Sequence, residues 1–184
     1  MFKMKVYVML ADGFEEIEAL SVVDVLRRAG VEIYMVSVKA DKVVESDRKI
    51  SVIADKTLDQ ITVEQEDMIV LPGGMKGVRG LEATEALVKL LKTHKDNQGW
   101  LAAICAAPIV PGKLGFYEGV KATCYPGLEQ ELSGAKVSQE DVVIDGKFVT
   151  SRGPGTALPF AYALLSIIKG PEVAQQVRSD MLYK

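Results

Sequence analysis

A chain of 184 residues, 48% apolar and 26% charged, can bury one substantial core and is too apolar to be disordered. Its net charge of −3 comes without a dense Lys/Arg cluster, so the electrostatic footprint of a nucleic-acid surface is missing. No stretch is long enough to span a bilayer, and two cysteines, Cys105 and Cys124, make no disulfide framework, so a cytoplasmic, reducing setting is expected.

In chain order, "MFKMKVYVML" has no small-residue cleavage site, and its apolar run reads as a first strand, "KVYVML". "DGFEEIEALSVVDVLRRAG" has the apolar period of an amphipathic helix ending at Gly30, with Asp12 as the expected N-cap and Glu15 and Glu16 in the first turn. "VEIYMVSV" is the next strand. "DMIVLPGG" (67–74) is a nearly continuous apolar run stopped by Pro and Gly, as expected of a strand buried on both faces. "LEATEALVKLLKTH" then has helical period, with His94, the chain's one histidine, expected at a solvated end.

"GWLAAIC" is the following buried strand, with a short helix opening at Pro108, and "KATCYP" reads as a further strand. "VVIDGKFVTS" carries an Asp-Gly hairpin signal. "TALPFAYALLSIIKG" and "PEVAQQVRSDML" close the chain as helices. No repeat, low-complexity tract or linker interrupts residues 1–184, which read as one domain. Strands alternating with helices argue for a mostly parallel sheet covered by helices on both faces, with function at the carboxyl ends of the strands. Gly73, Gly74 and Cys105 all fall there.

"AAICAAP" places Cys105 where a strand ends and turns at once into a helix, surrounded by small residues that permit a sharp turn. That pattern resembles a nucleophile elbow with sulfur in place of a serine oxygen. A helix N-terminus would also favour the thiolate and lower the thiol pKa. Free cysteine is equally one of the most buried residue types, so residues 102–108 alone leave both readings open. A base is the next requirement. His94 stands at the polar end of a helix, and the residue after the cysteine is Ala106, so a conventional Cys-His hydrolase is poorly supported. Glu18 is the other candidate. At 100° per residue it shares the stripe of Val22, Val25 and Ala29, whereas Glu16 falls nearly opposite and should be solvated. A carboxyl on an apolar stripe should have a raised pKa and can shuttle protons, unless it reaches water at the frayed start of the helix.

Together "ADGFEEIEAL", "VLPGG", "AAICAAP" and "TSRGPGT" resemble the ThiJ/PfpI superfamily, in the branch of the parkinsonism-associated deglycase and its bacterial relatives. The four motifs run in order over nearly the whole chain. The resemblance implies a flavodoxin-like three-layer α/β sandwich and a homodimer. It makes Cys105 the reactive cysteine, Glu18 the glutamate hydrogen-bonded to it, and Gly73 and Gly74 the pair whose amides face the thiol. Ala106 would complete an oxyanion site, Gly153 and Pro154 would form the loop closing the pocket, and Arg28 and Arg48 would lie near a dimer-facing pocket. Animal members carry a histidine in the strand after the elbow helix; here that stretch is "ATCYP", with Tyr125, whose phenol cannot serve as an imidazole base. Family proteases place His directly after the cysteine, a position held here by Ala106. Cys124 reads as a packed strand residue.

The function so implied is a cysteine-dependent, cofactor-independent enzyme acting on methylglyoxal or glyoxal, of glyoxalase or deglycase type, with a small aldehyde or glycated adduct as substrate. The sequence has no GxGxxG, no Walker loop and no clustered His/Cys ligands, so no metal or cofactor is expected. The competing reading is a non-enzymatic peroxide sensor or stress chaperone working by oxidation of Cys105.

Overall fold

The computed structural model describes residues 4–183. Residues 1–3, at the head of the run expected to lead into the first strand, and Lys184 lie outside the described residues. The strands are β1 (Val6–Leu10), β2 (Ile33–Ser37), β3 (Val43–Glu45), β4 (Ser51–Ile53), β5 (Lys56–Thr57), β6 (Met68–Leu71), β7 (Trp100–Ile104), β8 (Lys121–Ala122), β9 (Lys136–Val137), β10 (Val142–Asp145) and β11 (Phe148–Ser151). The α-helices are α1 (Glu16–Arg28), α2 (Met75–Ala83), α3 (Glu85–Asp96), α4 (Ile109–Lys113), α5 (Ala157–Lys169) and α6 (Pro171–Asp180). Seven strands form one sheet in the order β10-β11-β7-β6-β1-β2-β5, parallel except for the β10–β11 hairpin.

The alternation of strand side chains builds the three layers. On β1, Val6, Val8 and Leu10 face a core shared with Val22, Val25 and Leu26 of α1 and Phe160 and Leu164 of α5. Tyr7 and Met9 face the opposite core, built with Val78 and Leu81 of α2, Leu87 and Leu91 of α3, and Ile109 of α4. Helices therefore cover both faces, as the α/β flavodoxin-like reading requires. β1 lies between β2 and β6, so the chain runs outward to β5, returns to β6 and continues to β7 and β11. The order reverses between β1 and β6, and the loops leaving their carboxyl ends flank the crevice where doubly wound sheets bind ligands.

Several expectations change. Glu15, not Asp12, caps α1: its carboxyl accepts the Glu18 N–H at 2.8 Å, while Asp12 accepts the Glu45 N–H and pairs with Lys39. Glu16 is buried, with one carboxyl oxygen lacking a hydrogen-bond partner among the described residues. The helix expected over 81–94 is two helices broken at Thr84, whose extended backbone serves as C-cap of α2 and N-cap of α3. "KATCYP" keeps only Lys121–Ala122 as strand, because the next amides turn to other partners: Thr123 N–H donates to Thr150 Oγ1 and Tyr125 N–H to the Cys105 carbonyl. The hairpin of β3 and β4 and the edge strand β5 add to the elements read from sequence.

His94 is 3% exposed rather than solvated. Its Nε2 lies 3.1 Å from the Trp100 carbonyl, and a Cβ on Gly99 would overlap its ring, so the imidazole closes the base of the fold where β7 begins. Burial lowers its pKa, against smaller upward pulls from the Trp100 carbonyl and Asp67. A histidine whose folded pKa lies below its unfolded value of about 6.5 contributes stability above pH 6.5 that is lost as pH falls through the folded value. Urea unfolding of the protein and His94→Gln at pH 7.5, 6.5 and 5.5 checks this. The wild-type chain should lose stability relative to the variant below pH 6.5, by at most about 1.4 kcal/mol per pH unit. Parallel pH profiles would contradict it.

Candidate active site

Cys105 follows β7 directly and sits at φ 65°, a left-handed backbone conformation uncommon for a residue with a Cβ. Two hydrogen bonds hold it there. Its N–H donates to the Ser151 carbonyl at 2.9 Å, extending the β7–β11 pairing by one residue, and its carbonyl accepts the Tyr125 N–H at 2.8 Å. Such a conformation persists where its surroundings over-determine it, as they do here. The half-buried Cys105 packs against both cores, at the end of the sheet where they meet.

Glu18 arrives from the first turn of α1, completely buried. One carboxyl oxygen accepts the Gly73 N–H at 2.7 Å; the other has no hydrogen-bond partner of ordinary geometry among the described residues. The carboxyl lies within hydrogen-bonding range of the Cys105 side chain. Burial raises the Glu18 pKa to about 7, against downward pulls from Cys105 and the Gly73 amide and with a small upward push from Glu15. The Glu18 stripe reading therefore holds, and the carboxyl does not reach water.

Gly73 and Gly74 have different tasks. The Gly73 N–H is spent on Glu18, so it orients the acid and is not free to face the thiol, as the resemblance implied. A Cβ at Gly73 would lie 2.6 Å from the Glu18 carboxyl and 2.7 Å from the Cys105 Cβ, leaving no room for a side chain. Gly74, at φ 86°, caps α2, and its amide and that of Ala106 lie near enough to the Cys105 thiol to pull its pKa down. Two backbone N–H groups thus lie beside the thiol, as in an anion-stabilising site.

Burial pushes the Cys105 thiol up, and an ionised Glu18 adds to that through its charge and hydrogen bond, while the Ala106 and Gly74 amides pull it down. The low thiol pKa expected from a helix terminus is therefore reversed, first by burial and further while Glu18 is charged. α4 is five residues long and begins only at Ile109, so it supplies little macrodipole. When Glu18 takes a proton, its repulsion vanishes and its O–H can donate to sulfur. The two groups titrate as one unit.

Tyr125 and Gly153 lie beside the elbow. A Cβ on Gly153 would meet the Tyr125 ring at 3.4 Å, and Pro154 opens the short turn Pro154–Thr156 that follows. Arg48 is exposed, pairs with its neighbour Asp47, and lies near Glu15 at the N-terminal end of α1, where burial raises that carboxyl's pKa against a small downward pull from Arg48. Arg28 is not brought to the site within one chain. It ends α1, ten residues or about 15 Å beyond Glu18, and pairs with Asp24 at 2.8 Å. Cys124 is buried in a separate cluster with Tyr117, Ala122 and Leu132, and burial raises its pKa to about 11. A cleft of about 550 Å³ beyond β2 and β5, lined by Val38, Leu58 and Leu90, shares no residue with this site. Its Lys39 is already paired with Asp12. Among the described residues no group of three or more His, Cys, Asp or Glu side chains could hold a metal ion.

Gly73→Ala should separate Glu18 from Cys105, cost about 1–3 kcal/mol of stability through overpacking, and change the rate at which iodoacetamide alkylates Cys105. Gly155→Ala, where an added Cβ meets nothing within 4 Å, is the control. Alkylation of Gly73→Ala at the wild-type rate would contradict the geometry.

The same arrangement of sheet and helices recurs in known proteins. The structure of "Toxoplasma gondii DJ-1, oxidized" superposes with a TM-score of 0.92 at 36% identity, covering 98% of each chain. Protein dj-1beta of Drosophila melanogaster is 36% identical over 177 residues, 95% of each chain. The Caenorhabditis elegans protein named glutathione-independent glyoxalase DJR-1.2 is 31% identical over 160 residues, 86% of this chain and 84% of its own. The model of the DJ-1/PfpI family matches residues 4–167, and the chain belongs to that family.

Proposed function

We propose that the protein is a cysteine-dependent, cofactor-independent enzyme acting on small reactive carbonyls, converting methylglyoxal or glyoxal to the hydroxy acid. One observation carries this reading: a buried carboxyl titrating near 7 sits against a half-buried cysteine whose sulfur faces two backbone amides. The nematode relative's name, glutathione-independent glyoxalase, supports it.

As the Glu18 carboxylate takes the thiol proton, Cys105 sulfur adds to the aldehyde carbon, forming the C–S bond while the carbonyl π pair moves to oxygen. The Gly74 and Ala106 amides stabilise that oxyanion, and Glu18 delivers the proton that makes it a hemithioacetal. The Glu18 carboxylate then takes the proton from the former aldehyde carbon and returns it to the adjacent carbon, leaving a thioester of the hydroxy acid. Water cleaves the thioester, releasing the acid and restoring the thiol. The redox of the reaction is internal: one carbon is oxidised as its neighbour is reduced, so no external acceptor is needed. Gly153, Pro154 and Tyr125 would border the substrate. The same thiol could serve peroxide sensing, since a sulfinate's oxygens would find the same two amides, and the Toxoplasma relative was captured oxidised.

We also propose that the chain works as a homodimer, with Arg28 and Arg48 near the pocket that faces the second copy. Ile17 at the start of α1 and the paired Val43 and Ile53 of the β3–β4 hairpin are exposed apolar side chains. That hairpin is tied to the segment before α1 by the Phe14–Ser46 bridge, so the patch lies beside the site.

Methylglyoxal loss and lactate formation test the enzyme reading. Cys105→Ser should abolish both, Cys124→Ser should keep most of the rate, and Glu18→Gln should cut it ~10²–10⁴-fold while remaining folded. Turnover surviving Cys105→Ser would refute the chemistry. Light scattering at micromolar concentration should give twice the monomer mass, falling towards one in Ile17→Glu with Ile53→Glu; a wild-type monomer would refute the dimer.

A further inference from the structure

The segment leaving β11, "SRGPGT" (151–156), holds a hydroxyl network whose relation to the elbow the chemistry above does not use. Thr156 Oγ1 is its centre. It accepts the Gly153 N–H at 3.1 Å and the Arg152 N–H at 3.2 Å, and lies 2.7 Å from Ser151 Oγ. Ser151 Oγ in turn donates to the Asp141 carbonyl at 2.6 Å. Either hydroxyl can supply the proton between them. The Thr156 hydroxyl also donates to the Gly153 carbonyl at 2.9 Å, which accepts the Thr156 N–H at 2.9 Å as well. One oxygen therefore gathers two loop amides and locks a buried serine.

Both consequences reach Cys105. Ser151 is completely buried, and its carbonyl receives the Cys105 N–H. Gly153, held by the Thr156 hydroxyl, lies near Tyr125, close enough that an added Cβ would meet its ring at 3.4 Å, and the Tyr125 N–H donates to the Cys105 carbonyl. The amide and the carbonyl of the left-handed residue are thus each held by a group that Thr156 braces. Free of those two bonds, a residue with a Cβ would relax from φ 65° and carry its sulfur off the Ala106 and Gly74 amides.

We infer that Thr156 is a positioning residue for Cys105, acting through Ser151 and the Gly153–Tyr125 contact to keep the sulfur on its two amide donors. The inference rests on the reading of Cys105 as the reactive thiol, and it does not require that the substrate be an aldehyde.

The test is the pH profile of iodoacetamide alkylation at Cys105, read by peptide mass in the full chain, in the wild type, Thr156→Val and Thr156→Ser. Loss of the amide contacts should move the apparent thiol pKa of Thr156→Val upward by about one unit, a tenfold loss of thiolate at a fixed pH below it. Thr156→Ser keeps the hydroxyl and should restore the wild-type profile. Ser151→Ala breaks the relay while leaving the carbonyl, and should shift the profile in the same direction; it decides the matter if Thr156→Val does not fold. An unmoved profile in a folded Thr156→Val, an equal shift in Thr156→Ser, or, in the fallback, an unmoved Ser151→Ala would overturn the inference. Alkylation has no aldehyde in it, so a failure here is separable from a failure of the carbonyl chemistry.

Discussion

The site depends on one backbone constraint, the left-handed conformation of Cys105 at the end of β7. A β-strand that continued normally would point the next side chain into one of the two cores. The turn at residue 105 instead sends the sulfur towards the crevice between the loops after β1 and β6. Neither hydrogen bond that fixes it comes from its own strand. One partner ends β11, and the other belongs to the segment after β8, so three separate parts of the chain must fold before the thiol has its orientation. Strain of this kind costs roughly 1–3 kcal/mol and persists only when the surrounding structure over-determines it.

That orientation gives the buried carboxyl a use. An ionised carboxylate away from water is expensive, and proteins usually answer by pairing it with a cation or neutralising it. Among the described residues Glu18 has no cation beside it. Its hydrogen-bond donor is one backbone amide and its other neighbour is a thiol, so the response available is to keep the proton to near pH 7. A group that exchanges protons near neutrality, next to a nucleophile with two amide donors, is suited to reactions that move a proton between adjacent atoms. The Pro-Gly-Gly stop after β6 makes this possible at close range, because no side chain larger than hydrogen fits between the acid and the cysteine.

How much of this was readable without coordinates follows from what each feature rests on. The strand–helix alternation and the two-faced burial of β6 were legible because they depend on periodicity, which the chain carries locally; the same period put Glu18 on the apolar stripe but left open whether it reached water at the start of the helix. Cys105 at a strand end and the Gly-Gly stop were legible for the same reason, and their assembly into one site came from the order of four motifs. His94 was misread because its burial depends on contacts after the helix turns, with Gly99 and the Trp100 carbonyl, and a polar helix end looks alike whether solvated or covered. Gly73 was assigned to the thiol when its amide serves Glu18, a difference of one hydrogen bond that no residue pattern encodes. The sign of the Cys105 shift was misread because a helix terminus can be seen in sequence, whereas burial and a neighbour's charge cannot. Arg28 and Arg48 gave no local signal of where they would lie.

The most direct measurement is the protonation of Glu18 itself. Isotope-edited infrared spectroscopy of the full chain, with Glu18→Gln as the subtraction reference, isolates the C=O stretch of that carboxyl. At pH 6 the band of a protonated acid should be present, fading as pH rises through about 7, and Cys105→Ser should displace that titration because the two groups share one proton equilibrium. A Glu18 carboxyl already fully ionised at pH 6, titrating like an exposed glutamate near ~4.3, would contradict the coupled acid–thiol site.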